Sequence, residues 1–190
     1  VAAGTRYGTY YRSSAVVRTQ GAYVRTGFGY YHAFTPAWYR QYPGAWFAAG
    51  WAASRAWTAA NWSTLAAYGG YPVQPVYYDY GSTVVYEGDT VIMNGDTVAT
   101  TAEYAQQATA IADAGIEAQP AAAEEWQPLG VFAMVRGDEE NSDKVFQLAV
   151  DKEGVIRGNY YDGIADNTIE VYGSVDKKTQ RAAWTIGKKK

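Results

Sequence analysis

The sequence predicts an α+β protein, and three observations carry the prediction. Residues 35–70 form an Ala/Trp-rich stretch bracketed by helix caps, residues 87–96 hold two closely spaced hairpin turns, and residues 126–187 hold five short apolar runs separated by turns. In chain order this gives an extended Tyr/Arg-rich N-terminal arm (1–34), Trp/Ala-rich helices (35–70), a small β-meander plus helix (71–115), a linker (116–125) and an antiparallel β-sheet domain (126–190), drawn as a partial barrel.

The arm is rich in Tyr, Arg, Gly, Ser and Thr and has no regular apolar period. Such a segment buries little apolar surface by itself, so it is expected to be ordered by docking elsewhere. Next, Thr35-Pro36 pairs an N-cap with proline at the first helical position. Pro43 opens a second, longer helix and Gly69-Gly70 closes it. On that helix Trp46 and Trp57 are spaced like Trp51 and Trp62, close to three full turns. The spacing predicts two tryptophan ridges on one helix, with alanines between them. At least one ridge is expected at a contact between subunits, because tryptophan combines a large apolar area with an N–H that can still reach a partner.

Beyond a Pro/Tyr connector, Glu87-Gly88-Asp89 and Asn94-Gly95-Asp96 mark the two tight turns of a three-stranded meander. Thr100 and Glu103 form a capping-box pair. Gly115 is expected to stop the helix, which carries Tyr104, Ala108 and Ile111 on one face. In the last region the predicted strands alternate about turns at 138–143, 152–154, 163–167 and 176–179. Their expected apolar face holds Val131, Ala133, Val135, Phe146, Leu148, Val150, Ile156, Val171, Ala183 and Trp184.

The net charge of −3 conceals a split. Residues 1–78 hold Arg6, Arg12, Arg18, Arg25, Arg40 and Arg55 with no Asp, Glu or Lys, a local charge of +6. The remainder holds ten basic residues against all 19 acids, −9. A basic arm of this kind predicts an acidic partner, here the acidic half of the same chain or of a neighbouring copy. Nucleic acid is disfavoured, since no lysine accompanies the arginines and the whole chain is acidic. A first residue Val1, followed by Ala-Ala-Gly, reads as a chain processed after export. No uncharged apolar run reaches the ~20 residues of a spanning helix, so a transmembrane segment is not expected.

Little in the sequence points to catalysis. Cysteine is absent and His32 is the single histidine, so neither a thiolate site nor a histidine-based triad or zinc site can be assembled. Asp89, Asn94 and Asp96 fit no calcium-loop spacing and are explained by turn chemistry. Asn61-Trp62-Ser63 matches a glycosylation sequon inside the tryptophan segment. No phosphate-binding or dinucleotide fingerprint occurs. No catalytic residue, cofactor or metal is expected.

The segments "HAFTPAWYRQYPGAWFAAGWAASRAWTAANW", "PVYYDYGSTVVYEGDTVIMNGDTVATTAEYAQQATAIADAG", "WQPLGVFAMV" and the run from "FQLAVDKEGVIRGNYY" to "WTIG" resemble a family of exported planctomycete proteins labelled protocadherin-like or hypothetical cell-surface proteins. The resemblance covers most of residues 30–187 and implies export and a cell-surface or extracellular setting. It implies no enzymatic activity and no cofactor. The cadherin calcium pattern is not present in this sequence. The family continues beyond the "WTIG" strand with further β segments, which predicts an unpaired edge on the last sheet here.

Together these readings predict a secreted or cell-surface structural protein that assembles with copies of itself into a filament or sheet. The candidate interface residues are Arg6, Arg12, Arg18, Tyr23, Arg25, Tyr30, Tyr31, Trp46, Trp51, Trp57 and Trp62. The alternative is a carbohydrate- or ligand-binding surface module that stacks exposed aromatics on a cell-surface polysaccharide. An enzyme of unknown type is the third reading. Fourteen of the 18 tyrosines precede residue 87, a spread that suits an extended contact surface better than one pocket.

Overall fold

The computed structural model describes residues 32–48, 59–80, 82–119, 122, 125–135, 139 and 141–188. It has the predicted α+β architecture, with helices and two antiparallel sheets of three and five strands. Neither sheet closes into a barrel.

Helix α1 spans Pro36–Gln41; Thr35 accepts the Trp38 N–H at 3.3 Å and proline occupies the first turn. Helix α2 spans Trp62–Gly69, with Asn61 accepting the Thr64 N–H at 2.9 Å and Gly70 in the left-handed region at φ 66°. The single long tryptophan helix is therefore a correction: residues 42–48 and 59–61 are not helical, and Trp46 and Trp62 do not share a helix. The local reason is visible at both ends. Pro43-Gly44 turns the chain after α1, and the Asn61 side chain starts a new helix by capping it. Trp51 and Trp57 lie outside the described residues.

Strands β1 (Val84–Glu87), β2 (Thr90–Met93) and β3 (Asp96–Thr100) form the predicted meander. Asn94 and Gly95 both have positive φ, 54° and 93°, the backbone a two-residue Asn-Gly hairpin loop requires. Helix α3, Thr101–Glu117, begins with the full capping box of Thr100 and Glu103. It does not stop at Gly115, which lies inside the helix; the C-cap is Ala118. A Cβ at Gly115 would run into the backbone carbonyl of Gly173, so this glycine serves a close approach of helix to sheet.

The larger sheet runs in sequence order through β4 (Gln127–Ala133), β5 (Lys144–Val150), β6 (Val155–Asp162), β7 (Asn167–Asp176) and β8 (Arg181–Ile186). One face carries Phe146, Leu148, Val150, Ile156 and Val171, joined by Leu65, Leu129, Tyr160, Val175 and Trp184. Phe146 on β5 meets Trp184 on β8 edge to face at 6.1 Å between centroids. Three strand steps would span roughly 14 Å in a flat sheet, so the sheet curls about this face.

The expected single apolar face is corrected by the register. Phe132 pairs with Phe146, so Val131 and Ala133 lie on the opposite face, as does Ala183 opposite Ser174. The physical reason is that β5 is almost wholly buried, on both faces. Alternation then no longer tells core from solvent. On the second face Val145 and Tyr161 receive Ala33, Phe34 and Trp38, while Ala149 receives Ala48 with Trp46 and Trp126. Helix α3 covers the β7–β8 part of that face. Its other side, through Tyr104, packs on Val84 and Val91 of the small sheet.

Candidate functional site

Four polar clusters each fasten one part of the fold to another. The first lies on β5 and β6. Gln147 and Asn159 are fully buried, and the Asn159 Nδ2 donates to Gln147 Oε1 at 2.8 Å. The same amide bonds the backbone of Trp46 twice: Oδ1 accepts the Trp46 N–H at 2.7 Å and Nδ2 donates to its carbonyl at 2.8 Å. Tyr39 donates its hydroxyl to Gln147 Oε1 at 3.2 Å, and burial pushes that phenol well above its ordinary value.

The second cluster joins α1 to the β6–β7 turn. The Tyr42 and Tyr161 hydroxyls both donate to Asp166 Oδ1, the latter at 3.1 Å. The hydrogen bond to Asp166 holds the Tyr42 phenol well above its ordinary value.

The third centres on Arg157, buried in the middle of β6. Its guanidinium donates to the carbonyls of Gly115 at 2.8 Å and Ala118 at 3.3 Å, at the C-terminus of α3, and lies 4.9 Å from the Tyr172 ring centroid. A cation on the last carbonyls of a helix complements its dipole. Burial lowers the Arg157 pKa, and the nearby Glu170 carboxylate opposes that shift.

The fourth lies at the β5–β6 turn. Asp151 accepts the Val155 N–H at 2.7 Å, and burial raises its pKa. Lys177 donates to the carbonyls of Gly69 at 2.8 Å and of Lys152, and sits 5.6 Å from the Tyr71 ring centroid. Tyr68 donates to the Glu125 carbonyl, and burial pushes its phenol up to about 12. Among the described residues no group of three or more His, Asp or Glu side chains is placed to hold a metal ion. No described helix is long and apolar enough to cross a membrane.

The surface offers more than the interior. Trp62 donates its indole N–H to the carbonyls of Pro72 at 3.2 Å and Val73 at 3.0 Å. Gln180 holds the same strap from the other side, accepting the Val76 N–H at 2.7 Å and donating to the Gln74 carbonyl at 3.1 Å. The backbone of 72–76 is thus tied down while Val73, at 83% exposure, and Val76 face water, as does the adjoining Tyr77 at 71%. Phe47, Val98, Phe132, Met134 and Ile186 are further exposed apolar side chains.

Of the predicted interface residues, Arg6, Arg12, Arg18, Tyr23, Arg25, Tyr30, Tyr31, Trp51 and Trp57 lie outside the described residues. Trp46 packs edge to face on Trp126 at 5.0 Å, and Trp62 packs on Tyr71 at 5.8 Å. Trp46 and Trp62 therefore serve different contacts within the subunit. Sequence reasoning missed Gln147, Asn159 and Arg157. The available signal was polar residues inside two apolar strand runs, Gln147 in "VFQLAV" and Arg157 and Asn159 in "VIRGNYY".

Comparison with protein-family models, curated proteins and solved structures finds no match to this chain.

Proposed function

We propose that the protein is a structural, self-associating protein of the cell surface or extracellular space, whose copies join head to tail into a filament or sheet. The observation that carries this reading is the charge split, +6 over residues 1–78 against −9 over the rest. One half of the chain is thereby an electrostatic complement of the other half of a neighbour. Opposed halves meeting between copies make a heterologous contact, which propagates unless its rotation closes a ring. The exposed apolar side chains on the tied-down strap of 72–77 support the same reading, since a pre-ordered surface costs less entropy to dock. The resemblance to exported surface proteins supports the setting.

Sedimentation velocity over a wide concentration range, paired with negative-stain microscopy, tests it. Assemblies are expected at low salt, weakening as the Debye length falls from ~10 Å at 0.1 M toward ~3 Å at 1 M. A monodisperse monomer at every concentration in low salt would falsify the proposal.

A further inference from the structure

The five-stranded sheet ends in two edges of unequal openness. On β8 the Gly187 N–H bonds the Glu170 carbonyl at 2.8 Å, which fixes the phase of the β7–β8 ladder. The N–H and C=O groups of Ala182, Trp184 and Ile186 consequently point away from β7. Among the described residues none bonds them. The strand "RAAWTI" contains no proline and no bulge, and its one charge, Arg181, is engaged with Gln107 and Tyr104 of α3. It lacks the usual defences of an edge strand.

On β4 the Met134 N–H bonds the Lys144 carbonyl at 2.8 Å, so Val131 and Ala133 direct their backbone groups outward. The N-terminal half of this edge is guarded by Pro128, by a register irregularity before Gly130, and by the Ala60 N–H on the Leu129 carbonyl at 3.0 Å. The C-terminal half has no such guard among the described residues, and Phe132 and Met134 beside it are exposed.

Charge says which edges belong together. In a five-stranded meander β4 and β8 run in the same direction, so both leave the sheet at the same end. After β4 the sequence carries Asp138, Glu139, Glu140 and Asp143 against one Arg136. After β8 it carries Lys188, Lys189 and Lys190. Placing β8 of one copy parallel to β4 of the next sets together the ends of two strands, one followed in the sequence by basic residues and the other by acidic ones. Placing β8 antiparallel to its own copy would instead set its basic sequel against the start of the same strand, which Lys177, Lys178 and Arg181 border.

We propose that the contact running between copies is β-sheet continuation, with β8 of one subunit adding in parallel to the C-terminal half of β4 of the next. This deepens the self-association reading and rests on self-association alone: both strands lie within residues 79–190, so the open edges, and not the split between the basic and acidic halves, define this contact. Because donor and acceptor edges differ and lie on opposite sides of the sheet, every subunit retains one free edge of each kind, and the contact propagates.

Proline can occupy an edge strand where its nitrogen faces solvent, and there it removes only an outward donor and clashes with an incoming strand. Ala182→Pro blocks the β8 edge and Ala133→Pro the β4 edge, each in the full chain. By sedimentation velocity at low salt, each variant alone is expected to remain monomeric. An equimolar mixture is expected to give a 1:1 dimer and nothing larger, because only one intact pair of edges is then present. Wild-type chain that assembles while either proline variant assembles equally well overturns the edge contact and leaves self-association standing. Dimerisation of Ala133→Pro alone points to β8 pairing with itself, and dimerisation of Ala182→Pro alone to β4 pairing with itself; either overturns the inference. A monomeric wild type overturns both. Should far-UV circular dichroism show a proline variant unfolded, charge reversal decides instead. Changing Lys188, Lys189 and Lys190 to Glu is expected to raise the concentration needed for assembly about two- to fivefold per charge. Reversing Asp138, Glu139 and Glu140 to Lys in the partner chain is expected to restore it, and no effect of either set overturns the proposal.

Discussion

Asn159 holds Trp46 by its peptide group: the side-chain amide accepts the Trp46 N–H at 2.7 Å and donates to its carbonyl at 2.8 Å. An asparagine in the middle of a buried strand thus acts as a one-residue pairing partner for a segment far from it in sequence. It satisfies two backbone groups over a sheet face that has no free strand edge to offer them. Replacing Asn159 with Leu keeps the volume and removes both partners. Stability in urea is expected to fall by about 1–3 kcal/mol for each group left without one. Exchange of the Trp46 amide should quicken more than that of the Val84 or Val91 amides, which belong to the other sheet. Unchanged protection at Trp46 would show that the segment is held by its side-chain packing alone.

Gly115→Ala is expected to destabilise the protein. In an isolated helix the change favours folding by roughly 0.5–1 kcal/mol. Here the added methyl meets the Gly173 carbonyl, backbone that cannot step aside, and Gly173 is itself backed by Trp184 on the other face. A lowered melting temperature, with the helix signal of the folded state retained, is the expected result. A variant as stable as the wild type would mean that α3 does not seat on β7 at this point.

Removing residues 1–31 takes away four of the six arginines of the basic half. The cut must stop there, because Ala33 and Phe34 are fully buried against Val145 and Tyr161. The sheet is expected to remain folded by circular dichroism, while the concentration required for assembly rises and its salt dependence diminishes. Loss of the folded sheet would place the missing residues in the subunit core.

Alkaline pH is expected to unfold the protein. Tyr39 and Tyr80 through burial, and Tyr42 through its hydrogen bond to Asp166, all have phenol pKa values raised above the ordinary one. A raised value in the folded state means that the folded protein keeps protons the unfolded chain releases. The contribution is intact below about pH 10, the ordinary tyrosine value, and is lost as pH rises beyond it. Tyrosinate absorbance should appear together with loss of near-UV dichroism. Tyr42→Phe should bring little shift in that transition beyond the loss of its own bond, since Tyr39 and Tyr80 remain. Free titration of all tyrosines in a folded protein would contradict the burial.

Several caps and turns whose cause is local are legible in the chain alone, although Pro43 and Gly115 show that a local signal can be overridden. Thr35-Pro36, Asn94-Gly95 and the Thr100–Glu103 capping box set their own backbone within four residues, and the structure has each of them where the sequence puts it. The five strands of the larger sheet were legible because turn residues punctuate short β-branched and aromatic runs. The tertiary structure alone decided what those elements face. It separated Trp46 from Trp62, put Val131 and Phe146 on opposite faces, and turned Gly115 from an expected stop into a contact surface. The same holds for Gln147, Asn159 and Arg157, polar residues whose partners lie between 12 and 113 positions away. A side chain's propensity is fixed by its own chemistry and its neighbours in the chain. Its role depends on which distant backbone groups are left without water, and that is settled only when the sheet curls and the helices close over it.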